Sequence, residues 1–333
     1  MPKANYAVVF VHGLAKKPSP KQLEEIWLWS LERDNPMPSA FPPPNVGVQL
    51  ATQGVPSLFN YYADVFYGTD YDTDIKAMME SRSDIEGVAD GVPAVELPLV
   101  FSPAPQTVEE AKFLLGFEAK MGAKLALDSA LESGNKEAAL EGKLEIASWL
   151  PLVAKQAIIK KAAMEAYYYL FDKEYTRPDG EKFMVRKELR VRLLARLNEA
   201  LAAAEKVVIV SHSMGTMISY DLLRNVPECP KVDTFITLGS PLGVTEVQEQ
   251  LIAPGVEEID FPSAKVGRWI NIYDPKDPVA ADAVLADDYA VVDGKKIEDI
   301  EESNWGSWRH TITHYLAGVK LRATLNKACG LEG

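Results

Sequence analysis

Positive charge is scarce in this chain: 35 Lys and Arg stand against 48 Asp and Glu, for a formal charge of −13 and only four histidines. A nucleic-acid partner is argued against, because binding phosphate backbones needs clustered Lys and Arg, and an anionic membrane surface is disfavoured for the same reason. Cysteine is scarcer still. Cys229 and Cys329 lie far apart without metal-ligand spacing, so neither a disulfide framework nor a zinc site is indicated, and a reducing, cytoplasmic setting is expected. A long uninterrupted apolar run is also missing. The most apolar window, Trp149 to Phe171, is broken by Lys155, Lys160, Lys161 and Glu165, which a spanning helix does not tolerate. The first residues, MPKANYAVVFVHG, enter a short strand directly and lack the pattern of a signal peptide. No internal repeat or low-complexity tract is present.

What the chain does have is apolar content, 47% over 333 residues, enough for a sizeable core as one large domain or as a core carrying an insertion. Short β-rich runs fall at Tyr6–Val11, Asp64–Tyr67, Val207–Val210, Thr234–Leu238, Trp269–Tyr273 and Tyr289–Val292. Helical patterns occupy Gln22–Arg33, Val185–Ala204, Thr216–Asn225 and Ile312–Ala328. Strands alternating with helices predict an α/β fold with a largely parallel sheet flanked by helices. The stretch from about Thr69 to Asp172 breaks the alternation. It is rich in Ala, Leu, Glu and Lys, with helical periodicity over Val108–Leu131 and Ile146–Phe171. Residues 69–172 are therefore expected to form a helical cap inserted into a core of residues 1–68 and 173–333.

The stretch VVIVSHSMGTM, Val207–Met217, runs a doubly buried strand into a tight bend and on into a helix. A Ser at such a bend projects above the carboxyl edge of a parallel sheet, and the small residues Ser211 and Gly215 let strand and helix approach closely. Ser213 is thus an expected nucleophile. A serine hydroxyl needs a base oriented by a carboxylate. Of the four histidines, His212 adjoins the serine and points away from it, and His12 ends the first strand. His310 and His314 remain as candidates for the base.

In the order of these elements the chain resembles the α/β-hydrolase superfamily: His12-Gly13, then Ser211-His-Ser-Met-Gly215, then YDPKDPV at Tyr273–Val279, then WRHTITHYL at Trp308–Leu316. The resemblance covers both ends of the chain and leaves the cap unmatched, and Ser211 replaces the first glycine of the usual G-x-S-x-G. It implies an α/β-hydrolase fold, trimmed of the antiparallel strands that often precede the first central strand. It also implies that Gly13 turns the backbone so that the amides of Leu14 and Met214 hold an oxyanion. An Asp shortly before a small apolar residue favours Asp277 as the acid, with Asp274 as the alternate. A His five residues before Tyr-Leu favours His310 as the base; His314, one turn into the following helix, is the alternate.

Gly239–Gly243, GSPLG, ends another strand near the same edge and reads equally as a site-shaping segment or a plain turn. Tyr168 and Phe171, with Trp149, Leu150, Leu152 and Ile158, are expected to wall an acyl pocket or else to pack the cap helices together. The expected function is a serine hydrolase that cleaves a carboxylic ester or thioester through an acyl-enzyme, acting on a small-molecule or acyl ester, with no cofactor or metal. An amidase or peptidase using the same residues, and a non-catalytic protein keeping the fold, are the rival readings.

Overall fold

The computed structural model describes residues 3–71, 104–134, 152–253, 255–305 and 309–331, the side chains of 125–134, 152–159 and 161 excepted. Six parallel strands form one sheet: β1 (Ala4–Val11), β2 (Ser57–Asn60), β5 (Ala204–His212), β6 (Val232–Leu238), β7 (Val266–Tyr273) and β8 (Ile297–Glu301), in the order β2-β1-β5-β6-β7-β8. This is the α/β architecture of the hydrolase fold. A further pair, β3 (Glu174–Thr176) and β4 (Lys182–Met184), makes a small antiparallel hairpin.

The period of two in each strand sorts the core into two layers. Ala7, Val9 and Val11 of β1 and Val207 and Ile209 of β5 face one way, toward α5 (Val185–Ala203) and α6 (Met214–Asn225). Val8, Phe10, Val208 and Val210 face the other way, toward α1 (Pro20–Glu32), α8 (Ile312–Ala317) and α9 (Val319–Ala328). Both faces are covered, so the central strands read as unbroken apolar runs.

Within 69–172 the described residues form α3 (Val108–Gly134) and α4 (Leu152–Leu170). Phe113, Phe117 and Met121 of α3 and Ala163, Tyr167 and Tyr169 of α4 belong to the same apolar cluster as Val9 and Ile209. Tyr169 also donates its hydroxyl to Asp221 of α6 at 2.7 Å, a buried carboxylate that accepts from Arg186 and Arg190 of α5 as well. The two helices thus share the core of one sheet face.

Three expectations need correction. The run expected as a strand at Asp64–Tyr67 is one turn of helix, α2 (Asp64–Tyr67), and the strand of this region is β2. Asp64 sits in the first turn of α2, where the helix dipole favours negative charge, and it pairs with Arg192 at 2.5 Å. Tyr289–Val292 contributes only isolated bridges, and the edge strand is β8. Its sequence IEDIE hides it, because an edge strand exposes charge; Glu298 there pairs with Arg268 of β7. The helix expected over Ile312–Ala328 is broken at Gly318, whose backbone is extended (φ −64°, ψ 136°). The buried Glu302 carboxylate fills that break and accepts the amides of Lys320 and Leu321, and a Cβ on Gly318 would lie 2.2 Å from it.

Candidate active site

Ser213 joins β5 to α6 in a conformation that a side chain rarely adopts, φ 54° and ψ −129°. Such a backbone costs about 1–3 kcal/mol and persists only where its surroundings over-determine it. Here they do. The Ser213 amide donates to the Leu238 carbonyl at 3.0 Å, and the Thr216 hydroxyl donates to the Ser213 carbonyl at 2.6 Å. Gly215 lies so close to β1 that a Cβ would sit 2.5 Å from the His12 carbonyl oxygen. Ser211 replaces a glycine without crowding the bend, because its hydroxyl pairs with that of Ser219 on α6 at 2.7 Å. The Ser213 hydroxyl itself is buried and has no hydrogen-bond partner among the described residues.

Beyond β7 the chain turns, with the Asp277 amide donating to the Asp274 carbonyl at 3.0 Å. Asp277 is fully buried. Its carboxylate accepts from His310 Nδ1 at 2.8 and 3.0 Å, from the Tyr315 hydroxyl at 2.8 Å and from the Val279 amide at 2.8 Å. Burial alone would raise its pKa; the adjoining imidazole and these hydrogen bonds outweigh it and hold the group at about 2. An ionised acceptor at Nδ1 assigns the proton of neutral His310 to Nδ1 and leaves Nε2 with the lone pair.

His212 connects this pair to the serine. It is the residue before Ser213, its ring lies 4.5 Å from that of His310, and its Nε2–H donates to the His310 carbonyl at 3.0 Å. On the other side of Ser213, a Cβ on Gly13 would lie 2.6 Å from Ser213 Cβ, so only glycine lets this loop pass the serine. His12 Nδ1 donates to the Gly13 carbonyl at 2.7 Å while its Nε2 accepts the Tyr62 amide at 3.0 Å, an arrangement that needs a neutral ring. Met214 opens α6 and Leu14 follows Gly13; neither amide donates to a protein acceptor among the described residues.

The alternates lie elsewhere in the hydrogen-bond pattern. His314 stacks on Trp305 at 3.8 Å, and burial together with the Arg309 charge pushes its pKa down to about 3. Asp274 accepts the amides of Lys276 and Asn304 instead of an imidazole. Tyr168 and Phe171 contact other aromatic rings, Tyr168 against Tyr167 and Tyr175, and Phe171 against Phe113 and Tyr167. The expected wall residues Trp149, Leu150, Leu152 and Ile158 fall outside the described residues and side chains.

Sequence reasoning missed two contributors and left a third open. Tyr315 served as a marker five residues after His310, and nothing in a linear pattern marks its hydroxyl as a partner of Asp277. His212 was set aside because it points away from the serine. Gly239, in the segment that reads equally as site-shaping or as a plain turn, has φ 51°, and a Cβ there would lie 2.6 Å from Asp277 Oδ2 and 3.1 Å from His310 Nδ1. Its neighbour Ser240 pairs with Thr216 at 2.8 Å, so GSPLG braces the serine bend as well.

Residues 186–261 match the family model described as Lecithin:cholesterol acyltransferase. That is a family of lipid acyltransferases of α/β-hydrolase type, and the match supports an acyl-transferring or hydrolytic enzyme. The matched segment runs from α5 through the serine bend and β6. Gly13, Asp277 and His310 lie outside it. No curated protein matches the chain. A crystal structure of an uncharacterized protein from Pseudomonas aeruginosa aligns with 98% of this chain over 46% of its own length, at 9% identity and a TM-score of 0.33. The chain spans less than half of that protein, and a likeness this slight defines no common fold. Among the described residues no helix is long and apolar enough to cross a membrane.

Proposed function

We propose that this protein is a serine hydrolase that cleaves a carboxylic ester or thioester through an acyl-enzyme, with Ser213 as nucleophile, His310 as base and Asp277 as its orienting acid. The observation that carries the reading is the buried pairing of His310 Nδ1 with Asp277, on a loop whose neighbour His212 adjoins a strained serine. In this mechanism Ser213 Oγ attacks the acyl carbon and gives its proton to His310 Nε2. Negative charge then develops on the carbonyl oxygen, where the amides of Leu14 and Met214 receive it. Asp277 stabilises the imidazolium and keeps its Nδ1–H in place. Collapse of the intermediate breaks the bond to the leaving group, which takes the proton from Nε2. Water, deprotonated by the same imidazole, then releases the acid and restores Ser213.

The substrate follows from the surroundings. Leu14, Met214 and Leu242 belong to the large buried cluster that also takes in Phe113, Phe117 and Met121 of α3; an acyl group entering beside the serine meets this apolar layer first, and the reading is an ester with an apolar acyl chain. In this reading α3 and α4 are the described part of the cap expected over 69–172, the rest of which lies outside the described residues.

The test is labelling by a fluorophosphonate probe, mapped by peptide mass, together with turnover of p-nitrophenyl esters from two to sixteen carbons. Ser213 carries the label, Ser213→Ala abolishes turnover with the fold intact, and medium or long chains are preferred. Near-normal esterase activity in Ser213→Ala overturns the assignment, and a profile peaking at acetate overturns the acyl-chain reading.

A further inference from the structure

The Leu14 amide can act as an oxyanion donor only if its N–H is aimed, and a planar trans peptide makes that direction the opposite of the Gly13 carbonyl. The Gly13 oxygen is held from one side: His12 Nδ1 donates to it at 2.7 Å and the Tyr62 hydroxyl lies 3.1 Å away. The other end of the Leu14 residue is the peptide of Ala15, which has no such local anchor. Ala15 has φ 77°, a left-handed conformation that a residue with a Cβ leaves unless something holds it.

What holds it comes from far along the chain. The Ala15 amide donates to both carboxylate oxygens of Glu165 on α4, at 3.1 and 3.3 Å. Glu165 is itself buried, 1% exposed, although a carboxylate so placed is costly unless its oxygens are satisfied. Tyr67 supplies a second donor, its hydroxyl 2.5 Å from Glu165 Oε1. Burial and the neighbouring Glu165 push the Tyr67 phenol well up, so it remains an O–H donor.

We infer that Glu165 is a positioning residue for the oxyanion loop: by binding the Ala15 amide it keeps Leu14 oriented, and so couples helix α4 to the chemistry at Ser213. The inference rests on the hydrolase reading above. A carboxylate serves better than a neutral acceptor because it takes the Ala15 amide and the Tyr67 hydroxyl together, with a charge-assisted bond to each.

The experiment measures kcat and KM for a short p-nitrophenyl ester, normalised to the sites that a fluorophosphonate labels at Ser213. Glu165→Ala lowers kcat per labelled site by about 10- to 100-fold with KM changed less than about threefold, since the donor acts on the developing oxyanion and not on ground-state binding. Glu165→Gln keeps the volume and one acceptor, and the loss is about fivefold. Adding Ala15→Gly to either variant restores activity by about fivefold, because glycine holds a positive φ without a tether. A purely structural role for Glu165 would lower the melting temperature without this rescue. Unchanged kcat per labelled site in both Glu165 variants, or no recovery with Ala15→Gly, overturns the role of Glu165 alone. Absence of Ser213 labelling in the unaltered protein overturns the hydrolase reading, and the role of Glu165 with it.

Discussion

Tyr315→Phe removes one oxygen atom from the fully buried surroundings of Asp277 and leaves the ring in place. That oxygen donates to Asp277 Oδ2 at 2.8 Å and accepts the Asp274 amide at 3.2 Å. A hydrogen bond to a charged group contributes about 1.5–3 kcal/mol. Taking about 2 kcal/mol as its preference for the ionised carboxylate, and about 1.4 kcal/mol per pKa unit, the variant's Asp277 moves up by roughly 1.5 units from its value of about 2. It stays ionised at neutral pH, so the variant retains activity.

The sign of the pH effect follows from the direction of that shift. Asp277 is depressed from the ordinary 3.8, so its stabilisation is fully present above that value and is lost as pH falls through about 2. Replacing Tyr315 removes much of this contribution. Linkage then places the variant about 2 kcal/mol below the parent at pH 7 from this source, and the deficit shrinks to about 1.2 kcal/mol at pH 3. Urea unfolding of parent and variant between pH 3 and 7 measures the effect. A stability loss below about 0.5 kcal/mol at neutral pH, or a deficit that does not shrink toward acid, would refute the reasoning.

Asp277→Asn lowers kcat by about 10⁴-fold, the size of loss when the carboxylate behind a catalytic imidazole is neutralised, whereas Asp274→Asn costs far less; equal small losses in the two kcat values would place the acid elsewhere. Gly239→Ala forces a side chain against Asp277 Oδ2 at a positive φ, and is expected to cost about 1–3 kcal/mol of stability and most of the esterase activity. A variant with the parent's kcat and melting temperature would contradict that packing. His314 is buried and lowered from 6.5 to about 3, so between those values the unfolded chain binds a proton that the folded chain does not. Its contribution is present above 6.5 and falls by about 1.4 kcal/mol per pH unit below it. The stability gap between the parent and His314→Gln should therefore shift by about 2 kcal/mol between pH 7 and pH 5, and a constant gap in urea unfolding would show that His314 protonates freely.

The serine bend was legible in the sequence because its information is local: branched residues for the buried strand, small residues at Ser211 and Gly215, and a helix starting at once afterwards. The α/β class was legible for the same reason, since strand and helix periods are written within a few residues of each other. Element type failed where local pattern and environment disagree. Asp64–Tyr67 carries strand-like side chains on a helical turn, and β8 carries acidic residues because it is an edge.

Composition and motif order thus determined a parallel-sheet protein with a serine at a strand-to-helix bend and with acidic and imidazole candidates on later loops. Only the tertiary structure decided that His310 meets Asp277 and not Asp274, that Tyr315 adds its hydroxyl, that Gly239 must lack a side chain, and that Glu165 reaches the Ala15 amide. Each of these depends on segments distant in sequence that the order β2-β1-β5-β6-β7-β8 and the layers over it bring within hydrogen-bond range. A hydrogen bond is set by angles and tenths of an ångström, and no periodicity along a chain records those.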